Sequence, residues 1–418
     1  MARALTVASV VHPKGDGLSI GNHPHRRRLT CVACLTALAL LASCGDDPSE
    51  AESTQAPTGS SVATDESTVE SESSASAELE ALYAAESFTE PPADSPPSVA
   101  DLNVWLIPFG LAAPEGADWV AAAERAADVL GWETTVYDGK FAPNEYLEGV
   151  RQAIADDADA ISLYVIDCAP IRTALEEADA AGVMVVAAQG ADCSDADPAA
   201  PSLFDASVNY TQGTFAEWGR ALGAAQATWI IEETGGDARV IELFETDAFI
   251  TVEMHKGFVE RMAQCDTCEI VRTVEFLATD FGQPLQDKVD QALLAAGDAN
   301  AMAVPYDGVI TAGVSASVDA SGRSDSLEVI AGVGLEANLT LIRDGLSQDA
   351  GYGVSIGWEA YSSMDTVNRL ANDAPTDVPS GNGIAIFDRS RGLPDSGAWV
   401  PPIDYVSAYE AAWTKAAG

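Results

Sequence analysis

From Leu102 onward, short apolar runs alternate with amphipathic segments. The apolar runs are continuous rather than alternating, which is typical of parallel strands covered by helices on both faces. The segments between them repeat apolar residues at helical spacing. This order predicts right-handed βαβ units with helices on both sides of a parallel sheet.

The alternation occurs as two series of the same kind. The first predicts strands at 104–108, 134–137, 160–166 and 183–188, and helices at 117–130, 144–155 and 171–181. The second predicts strands at 239–244, 270–276, 301–305 and 327–333, and helices at 251–263, 283–296 and 309–320. We therefore expect an α/β protein with two similar lobes.

A targeting segment precedes these series. A basic stretch ending at Arg28 is followed by the apolar run 31–42. The run is shorter than the roughly 20 residues that cross a bilayer, and it fits the apolar region of a signal peptide. It ends in the letters LASC, which resemble the lipobox of bacterial lipoproteins. Residues 1–44 are therefore predicted to be a signal peptide, and Cys44 is predicted to carry the lipid that holds the protein at the cell membrane, outside the cytoplasm.

The next segment, 45–99, is predicted to be a disordered acidic linker. It is rich in Ser, Thr, Glu, Ala and Pro and contains no Lys or Arg. Such a composition buries too little apolar surface to offset the entropy lost on ordering. The linker is therefore expected to hold the folded part away from the membrane.

Charge and histidine content narrow the possible functions. The chain has 65 Asp and Glu against 21 Lys and Arg, and a net charge of −44, which disfavours nucleic-acid partners. Only His255 lies beyond the targeting segment, so the usual histidine-dependent catalytic arrangements have little support. No phosphate-binding glycine motif is present. We expect no enzyme activity, no cofactor and no metal.

Local patterns in the two series resemble the type I periplasmic binding proteins of the ribose and galactose group, over roughly residues 102–373. The patterns, in chain order, are VNY at 208–210 with Gly213, HKGF at 255–258, TDF at 279–281, VPYD at 304–307, and VGLE at 333–336 followed by LIRDG at 341–345. The resemblance implies two Rossmann-like lobes joined by a three-segment hinge. The three crossings are expected near 208–210, 353–358 and 382–387. The first lobe would then comprise 100–208 plus about 356–384, and the second 209–355 plus about 385–418.

Four cysteines lie in the folded part, which suggests disulfides in an exported protein. Cys168 and Cys193 follow the third and fourth predicted strands, which are neighbours about 4.8 Å apart, so we expect them to pair. Cys265 and Cys268 are expected to pair within a turn. A redox CxxC or a zinc half-site is the alternative for this second pair, but the motif follows a helix and lacks further zinc ligands.

Ligands of open parallel sheets bind beyond the carboxyl ends of the strands. The candidates there, including aromatic residues nearby, are Phe109, Trp119, Asp138, Asp167, Gln189, Glu245, Asp247, Asp280, Phe281, Gln283, Tyr306, Asp307, Glu336 and Trp358. By the resemblance, Phe281 is the ring-stacking aromatic, while Gln189, Tyr306 and Glu336 occupy polar sugar-binding positions. Gln283 stands where the family has an arginine, which leaves an unusually acidic site.

Aromatic faces and carboxylates suit a sugar or a polyol. We therefore expect a monomeric substrate-binding lipoprotein of an ABC importer. Two alternatives remain open: a receptor that passes a ligand signal to a membrane partner, and a binder of a cationic solute such as an amino sugar or an amine.

Overall fold

The structure is a computed structural model that describes residues 76–415 of the 418-residue chain. The predicted signal peptide, Cys44 and residues 45–75 of the predicted linker lie outside the described residues.

The first lobe contains a five-stranded parallel sheet in the order β2-β1-β3-β4-β5. Its strands are β1 (Asn103–Pro108), β2 (Glu133–Val136), β3 (Ala160–Tyr164), β4 (Met184–Ala188) and β5 (Ala206–Ser207). Residues 76–83 form helix α1, and the helices that follow are α2 (Pro114–Leu130), α3 (Pro143–Ala155), α4 (Arg172–Ala181) and α5 (Cys193–Ala196). β3 is buried along its whole length, as its continuous apolar sequence predicts.

The second lobe contains a six-stranded sheet in the order β11-β10-β9-β8-β6-β7, parallel except for the β10–β11 pair. Its strands are β6 (Arg239–Glu245), β7 (Glu269–Phe276), β8 (Ala301–Ala303), β9 (Glu328–Val333), β10 (Ala350–Gly353) and β11 (Ala385–Asp388). Its helices are α6 (Phe215–Glu233), α7 (Phe249–Met262), α8 (Gln283–Ala295), α9 (Asp307–Val309), α10 (Ser315–Ser321) and α11 (Glu336–Asp344). The helix expected over 309–320 is interrupted, because Gly313 adopts φ 158° within a π-helical turn.

Helices α6 and α7 pack tightly across a glycine contact. A Cβ atom on Gly223 would strike the backbone of Met254, and one on Gly257 would strike the backbone of Arg220. Both positions therefore require glycine for this close approach.

The two lobes are joined by three crossings, and the expected fold class is confirmed. The crossings are residues 208–214, 354–355 and 372–384, and the second leads into α12 (Ile356–Ala371), which packs on α2 and β4 of the first lobe. The first and third crossings run side by side, because the backbone N–H of Ser380 donates to Asn209 O at 2.9 Å.

Helix α13 (Tyr405–Trp413) lies on the first lobe, against α2 and α12. The sequence assignment placed residues 385–418 on the second lobe, and only β11 among their regular elements joins that lobe's sheet. The reason is aromatic packing: Trp413 stacks on Tyr361 of α12 with ring centroids 5.6 Å apart. After β11 the chain therefore passes back to the first lobe, in addition to the three crossings that connect the two series of βαβ units.

Residues 76–99 are ordered and form a strap along the hinge, so the prediction of a disordered linker is wrong for this part. On the second lobe, Glu80 receives hydrogen bonds from both terminal nitrogens of Arg391 at 2.5 and 2.7 Å. At the third crossing, Thr89 N–H donates to Gly381 O at 3.1 Å. On the first lobe, Asp94 pairs with Arg369 at 2.9 Å. A few anchors such as buried Phe88 order a segment whose average composition is polar.

Both predicted disulfides are present. Cys168 and Cys193 are paired with Cα atoms 5.1 Å apart, after β3 and at the start of α5. Cys265 and Cys268 are paired with Cα atoms 5.4 Å apart in the turn between α7 and β7. Oxidised sulfur atoms are not zinc ligands, so the zinc alternative for Cys265 and Cys268 does not apply.

Candidate ligand-binding cleft

The carboxyl ends of the two sheets meet across a cleft. Asp167, just past β3 in the first lobe, accepts a hydrogen bond from the backbone N–H of Ala191 at 2.9 Å. Its second oxygen accepts from the backbone N–H of Phe249, at the start of α7 in the second lobe, at 3.3 Å. Burial raises the pKa of this carboxyl. Asp167 therefore links the two lobes directly.

The second lobe contributes a buried carboxyl at the end of β6. Glu245 is 4% exposed and accepts a hydrogen bond from the Tyr306 hydroxyl at 2.8 Å. Burial raises the pKa of Glu245 to about 7; the Tyr306 hydrogen bond opposes the rise, and the nearby Asp247 adds to it. The same burial, with Glu245 close by, raises the pKa of the Tyr306 phenol. Asp247 itself is exposed and accepts from Ala278 N–H at 3.3 Å.

Glu115, in the first turn of α2, faces this pair from the first lobe and was missed by the sequence analysis. Burial raises its pKa, and Asp307 and Asp118 add to the effect. The position was open to prediction, because an acidic residue in the first helical turn after β1 lies at the carboxyl edge of the sheet.

The hinge side of the cleft is formed by a group of six residues, here called the floor cluster. Its members are Trp119, Tyr164, Gln189, Tyr210, Trp218 and Glu359. Tyr164 and Gln189 come from the ends of β3 and β4, Trp119 and Glu359 from α2 and α12, Tyr210 from the first crossing, and Trp218 from α6. The cluster therefore draws on both lobes and on the hinge.

Glu359 is the charged residue of the floor cluster and is 0% exposed. Its Oε2 accepts from Gln189 Nε2 at 2.6 Å. Burial raises the pKa of Glu359 to about 8, and the polar groups of Gln189 and Tyr210 offset this only in part. Gln189 has φ 54°, an uncommon conformation for a residue with a side chain and one found often at functional sites.

Two stacked aromatic pairs flank Glu359. Tyr210 stacks on Trp218 with ring centroids 4.2 Å apart, and Trp119 stacks on Tyr164 at 5.0 Å, with ring planes 2° apart. Burial is the main cause of the raised pKa of both tyrosines, and the nearby charge of Glu359 is the next. Both pairs therefore lie within range of the charge of the same carboxyl.

Within residues 76–415, six buried side-chain polar atoms have no hydrogen-bond partner. Four belong to the floor cluster: Trp119 Nε1, Tyr210 Oη, Trp218 Nε1 and Glu359 Oε1; of these, the Tyr210 hydroxyl and the Glu359 carboxyl lie close enough to interact with each other. Because an unsatisfied buried polar group is costly, such a concentration in one place is a feature of binding sites.

Two predicted site residues have structural roles instead. Asp307 is fully buried and accepts from the backbone N–H groups of Gly334 and Leu335 at 2.9 and 2.8 Å, so it fixes the loop before α11. Trp358 is also fully buried, and its indole donates to Ser380 O at 2.9 Å within the hinge.

Four further predicted residues follow strands β7 and β9 of the second lobe. Asp280 pairs with Lys288 at 2.7 Å, and Gln283 donates to Asp287 at 2.7 Å. Phe281 is 39% exposed, and its ring lies 6.3 Å from that of Phe276. Glu336 is exposed at the start of α11.

The two remaining predicted site residues, Phe109 and Asp138, follow strands β1 and β2 of the first lobe. Phe109 contacts Phe141 and Tyr164 at centroid distances of 5.2 and 6.0 Å. Asp138 accepts from the backbone N–H groups of Leu111 and Lys140 at 2.9 and 3.0 Å and shapes the loop after β2.

His255 lies apart from this cleft, with its ring Nδ1 2.6 Å from Glu242 and stacked on Phe244 at 4.2 Å. The same residues line a small recess within the second lobe. Among the described residues, neither a lysine nor an arginine forms an ion pair with Glu115, Glu245 or Glu359. These three carboxyls therefore have no ion-pair partner of opposite charge in the described part of the chain.

Two α/β lobes joined by three crossings, with a polar cleft between them, define a solute-binding protein. Residues 113–375 match the family model described as periplasmic binding protein domain, and the chain belongs to this family. Its members are solute-binding proteins rather than enzymes. The comparison with curated proteins gave no match.

Solved structures show the same fold. An arabinose ABC transporter binding protein from Shewanella sp. ANA-3, bound to L-arabinofuranose, is 17% identical with a TM-score of 0.59, covering 74% of this chain and 95% of that one. A solute-binding protein from Actinobacillus succinogenes 130z with D-allose is 16% identical with a TM-score of 0.59, covering 70% and 98%. One from Agrobacterium vitis with allitol is 15% identical with a TM-score of 0.58, covering 70% and 97%. In the described part of the chain, no helix has the length and apolar character needed to cross a membrane.

Proposed function

We propose that the protein is a lipid-anchored receptor outside the cytoplasm that captures a sugar or a polyol between its lobes and delivers it to an ABC permease. The supporting observation is the cleft itself, in which buried carboxyls, stacked aromatic rings and unpaired hydrogen-bonding atoms come from both lobes. Sugars and polyols bound to proteins of the same fold agree with this ligand class.

Capture would work by closure of the lobes. A ligand that contacts Glu245 and Tyr306 on one side and the floor cluster on the other stabilises the closed arrangement, because those contacts exist only when the lobes are together. The Asp167–Phe249 hydrogen bond supplies a direct contact between the lobes in that arrangement. The closed surface is then the form that a permease distinguishes.

Isothermal titration of the full chain in detergent with D-allose, L-arabinose and allitol tests the proposal. We expect saturable one-to-one binding of at least one of these compounds, with a reduced radius of gyration in small-angle X-ray scattering. Unchanged compounds after prolonged incubation would agree with binding without turnover. Failure of all three to bind, or steady conversion of a bound compound, would refute the proposal.

The lipid anchor is tested separately. Metabolic labelling with a radioactive fatty acid should mark the wild-type chain but not the Cys44→Ala variant, because the thiol of Cys44 is the proposed acceptor. Labelling of the variant would rule out Cys44 as the lipidated residue.

Sensing remains the second candidate, because a closed receptor can act on a membrane signalling partner as well as on a permease. Purified permease and ATPase subunits in vesicles separate the two. Ligand-dependent stimulation of ATP hydrolysis supports delivery to a transporter; no stimulation, together with capture of a different membrane partner, supports sensing.

A further inference from the structure

The strap is a further connection between the two lobes, besides the three crossings and the return of the chain after β11. Its first part is fixed to the second lobe, because the Ser87 hydroxyl donates to Ile384 O at 2.9 Å and accepts from Ile384 N–H at 2.8 Å, directly before β11. Its last part is fixed to the first lobe through Asn368 of α12. The side chain of Asn368 donates to Pro96 O at 2.8 Å and accepts from Val99 N–H at 3.1 Å.

Between these anchors, the ring of Phe88 lies between two tryptophans that belong to different lobes. Phe88 is 6% exposed, and its ring centroid lies 5.8 Å from that of Trp358 and 5.5 Å from that of Trp399. Trp358 is in the first turn of α12, which packs on the first lobe. Trp399 is held to the second lobe, where its backbone N–H donates to Gly334 O, just after β9, at 2.8 Å. Phe88 therefore contacts both lobes with one side chain.

The third crossing is shaped to receive the strap. Thr89 N–H donates to Gly381 O at 3.1 Å. A Cβ atom on Gly381, which has φ 89°, would lie 2.4 Å from Thr89 O, and one on Gly383 would lie 2.7 Å from the backbone nitrogen of Phe88. The strap backbone occupies the space that side chains would need at these two positions, so it packs as an integral part of the hinge.

The segment that leads from the hinge to the first-lobe anchor is stiff. Four of the seven residues in 91–97 are proline. Proline fixes φ, and proline-rich segments behave as semi-rigid spacers. The Asp94–Arg369 ion pair lies on this segment, but Asp94 is exposed, so solvent screening leaves it a minor contribution. A stiff segment with an anchor at each end resists a change in the separation of those anchors.

The strap contacts belong to an arrangement in which the lobes touch each other. The Asp167 carboxylate of the first lobe accepts from Phe249 N–H of the second lobe at 3.3 Å in the same structure. Contacts that form in one arrangement of a two-state protein, and are lost in the other, stabilise the first arrangement.

We propose that the strap is a brace of the hinge that stabilises the arrangement in which the lobes are together, with Phe88 as the residue that couples the lobes. The apparent affinity of the cleft for any solute then depends on the strap, because it falls with the fraction of molecules in the binding-competent arrangement. By reciprocity, a solute that closes the lobes tightens the strap. This inference goes beyond the proposed function and does not depend on which solute the cleft takes.

The test measures the separation of the lobes in the full chain without any added compound. Leu111→Cys and Leu277→Cys carry spin labels at exposed positions after β1 and β7, so opening of the cleft lengthens the distance between them. Pulsed electron paramagnetic resonance gives the distribution of this distance. Phe88→Ala removes the shared ring. Insertion of Gly-Ser-Gly-Ser between Glu90 and Pro91 leaves the anchoring side chains in place and slackens the connection.

Each variant has a matched control. Phe204 is also 6% exposed but lies in the core of the first lobe, so Phe204→Ala loses a ring of the same burial away from the hinge. The same four residues inserted between Gly297 and Asp298, in the exposed turn between α8 and β8, control for the insertion. Melting temperatures show whether each variant remains folded.

We expect both strap variants to shift the distance distribution to longer values and both controls to leave it unchanged. For whichever of D-allose, L-arabinose and allitol binds, the dissociation constant of the unlabelled chain should rise by about 10-fold in Phe88→Ala and stay unchanged in Phe204→Ala. The same compound should slow hydrogen exchange of the Thr89 amide in the wild-type chain.

Wild-type distances in both strap variants would overturn the brace. Equal lengthening in Phe204→Ala and Phe88→Ala would also overturn it, because the loss of any core ring would then be sufficient. Shorter distances in the strap variants would reverse the assignment, since the strap would then hold the lobes apart. Failure of all three compounds to bind would refute the proposed function, while the distances measured without a compound would still decide the role of the strap.

Discussion

Helix α12 buries two carboxyls, Glu359 in its first turn and Asp365 in its middle, and the two differ in how they are satisfied. Asp365 is 3% exposed and has both oxygens occupied: Arg369 Nε donates to one at 2.8 Å, and Trp413 Nε1 donates to the other at 2.8 Å. Glu359 is 0% exposed; its polar neighbours are the Gln189 amide, which donates to one oxygen, and the Tyr210 hydroxyl, and it has no partner of opposite charge.

The difference agrees with a structural role for Asp365 and with the binding role proposed for the cleft around Glu359. At Asp365 the chain supplies the opposite charge itself, and α13 is attached to α12 through the same carboxylate. At Glu359 the chain supplies no cation, so a carboxyl of the same helix is held in an incompletely paired state. A buried polar group that is incompletely paired calls for an explanation, and contact with a bound ligand is the explanation that the proposed function supplies.

The largest expected effect is the loss of stability on substituting Asp365. Asp365→Asn breaks a buried ion pair and leaves Arg369 with less compensation, so we expect a loss of about 3–5 kcal/mol in the free energy of unfolding. Urea unfolding followed by circular dichroism measures it, with exposed Asp377→Asn as the control. A loss below about 1 kcal/mol would show that Trp413 alone holds this part of α12 together.

Substitution of Glu359 should change the free energy of unfolding much less than substitution of Asp365. Glu359→Leu in the absence of ligand replaces a costly buried carboxyl by an apolar side chain of similar size, so its cost should be no more than about 1–2 kcal/mol, mainly from the unpaired Gln189 amide. Urea unfolding of the ligand-free variant measures this. A loss as large as that of Asp365→Asn would assign Glu359 a structural role.

The buried carboxyls without a counter-charge also make the free energy of unfolding depend on pH. Burial raises the pKa of Glu359 to about 8 and that of Glu245 to about 7, above the ordinary glutamate value. The folded state therefore binds more protons than the unfolded state between the ordinary value and about pH 8. Stability from these groups is fully present below pH 4 and is lost as pH rises through 7 to 8.

We expect the free energy of unfolding to fall between pH 5.5 and 8 by about 1 kcal/mol per pH unit for each such group. Urea unfolding at a series of pH values measures the slope. Glu359→Gln should make the slope shallower, because the amide does not titrate, whereas Glu124→Gln, at an exposed position of the same lobe, should not. A slope that Glu359→Gln leaves unchanged would contradict the assignment of a raised pKa to Glu359.

These residues also show which features of the structure the sequence predicts. The two lobes and the disulfides followed from local periodicity and strand-end positions, which nearby residues determine. The crossings were expected from the family resemblance. The sequence did not predict the membership of Glu359, Tyr210 and Trp218 in the site. These residues come from separate segments that meet only after folding. Asp307 was predicted for the site because an aspartate after a strand has the same local signature whether it accepts from a ligand or from its own loop, as it does here.

The prediction of disorder was wrong for the strap for a different reason. Composition predicts disorder for 45–99, yet Phe88 fits between Trp358 and Trp399, with ring centroids 5.8 and 5.5 Å away. The residues that pack around Phe88 are far from it in the sequence, so no local sequence pattern predicts this contact.

The smallest predicted effect sharpens the comparison most, because it concerns the same guanidinium. Arg369 also donates from Nη2 to Asp94 of the strap at 2.9 Å, nearly the distance of its bond to Asp365, but the Asp94 side chain is 78% exposed against 5% for Asp365. Solvent screens an exposed pair, so Asp94→Asn should cost no more than about 0.5 kcal/mol, far less than Asp365→Asn. Urea unfolding measures both variants. A cost above about 2 kcal/mol would mean that the strap contributes cooperatively to the hinge, since no exposed ion pair alone accounts for that loss.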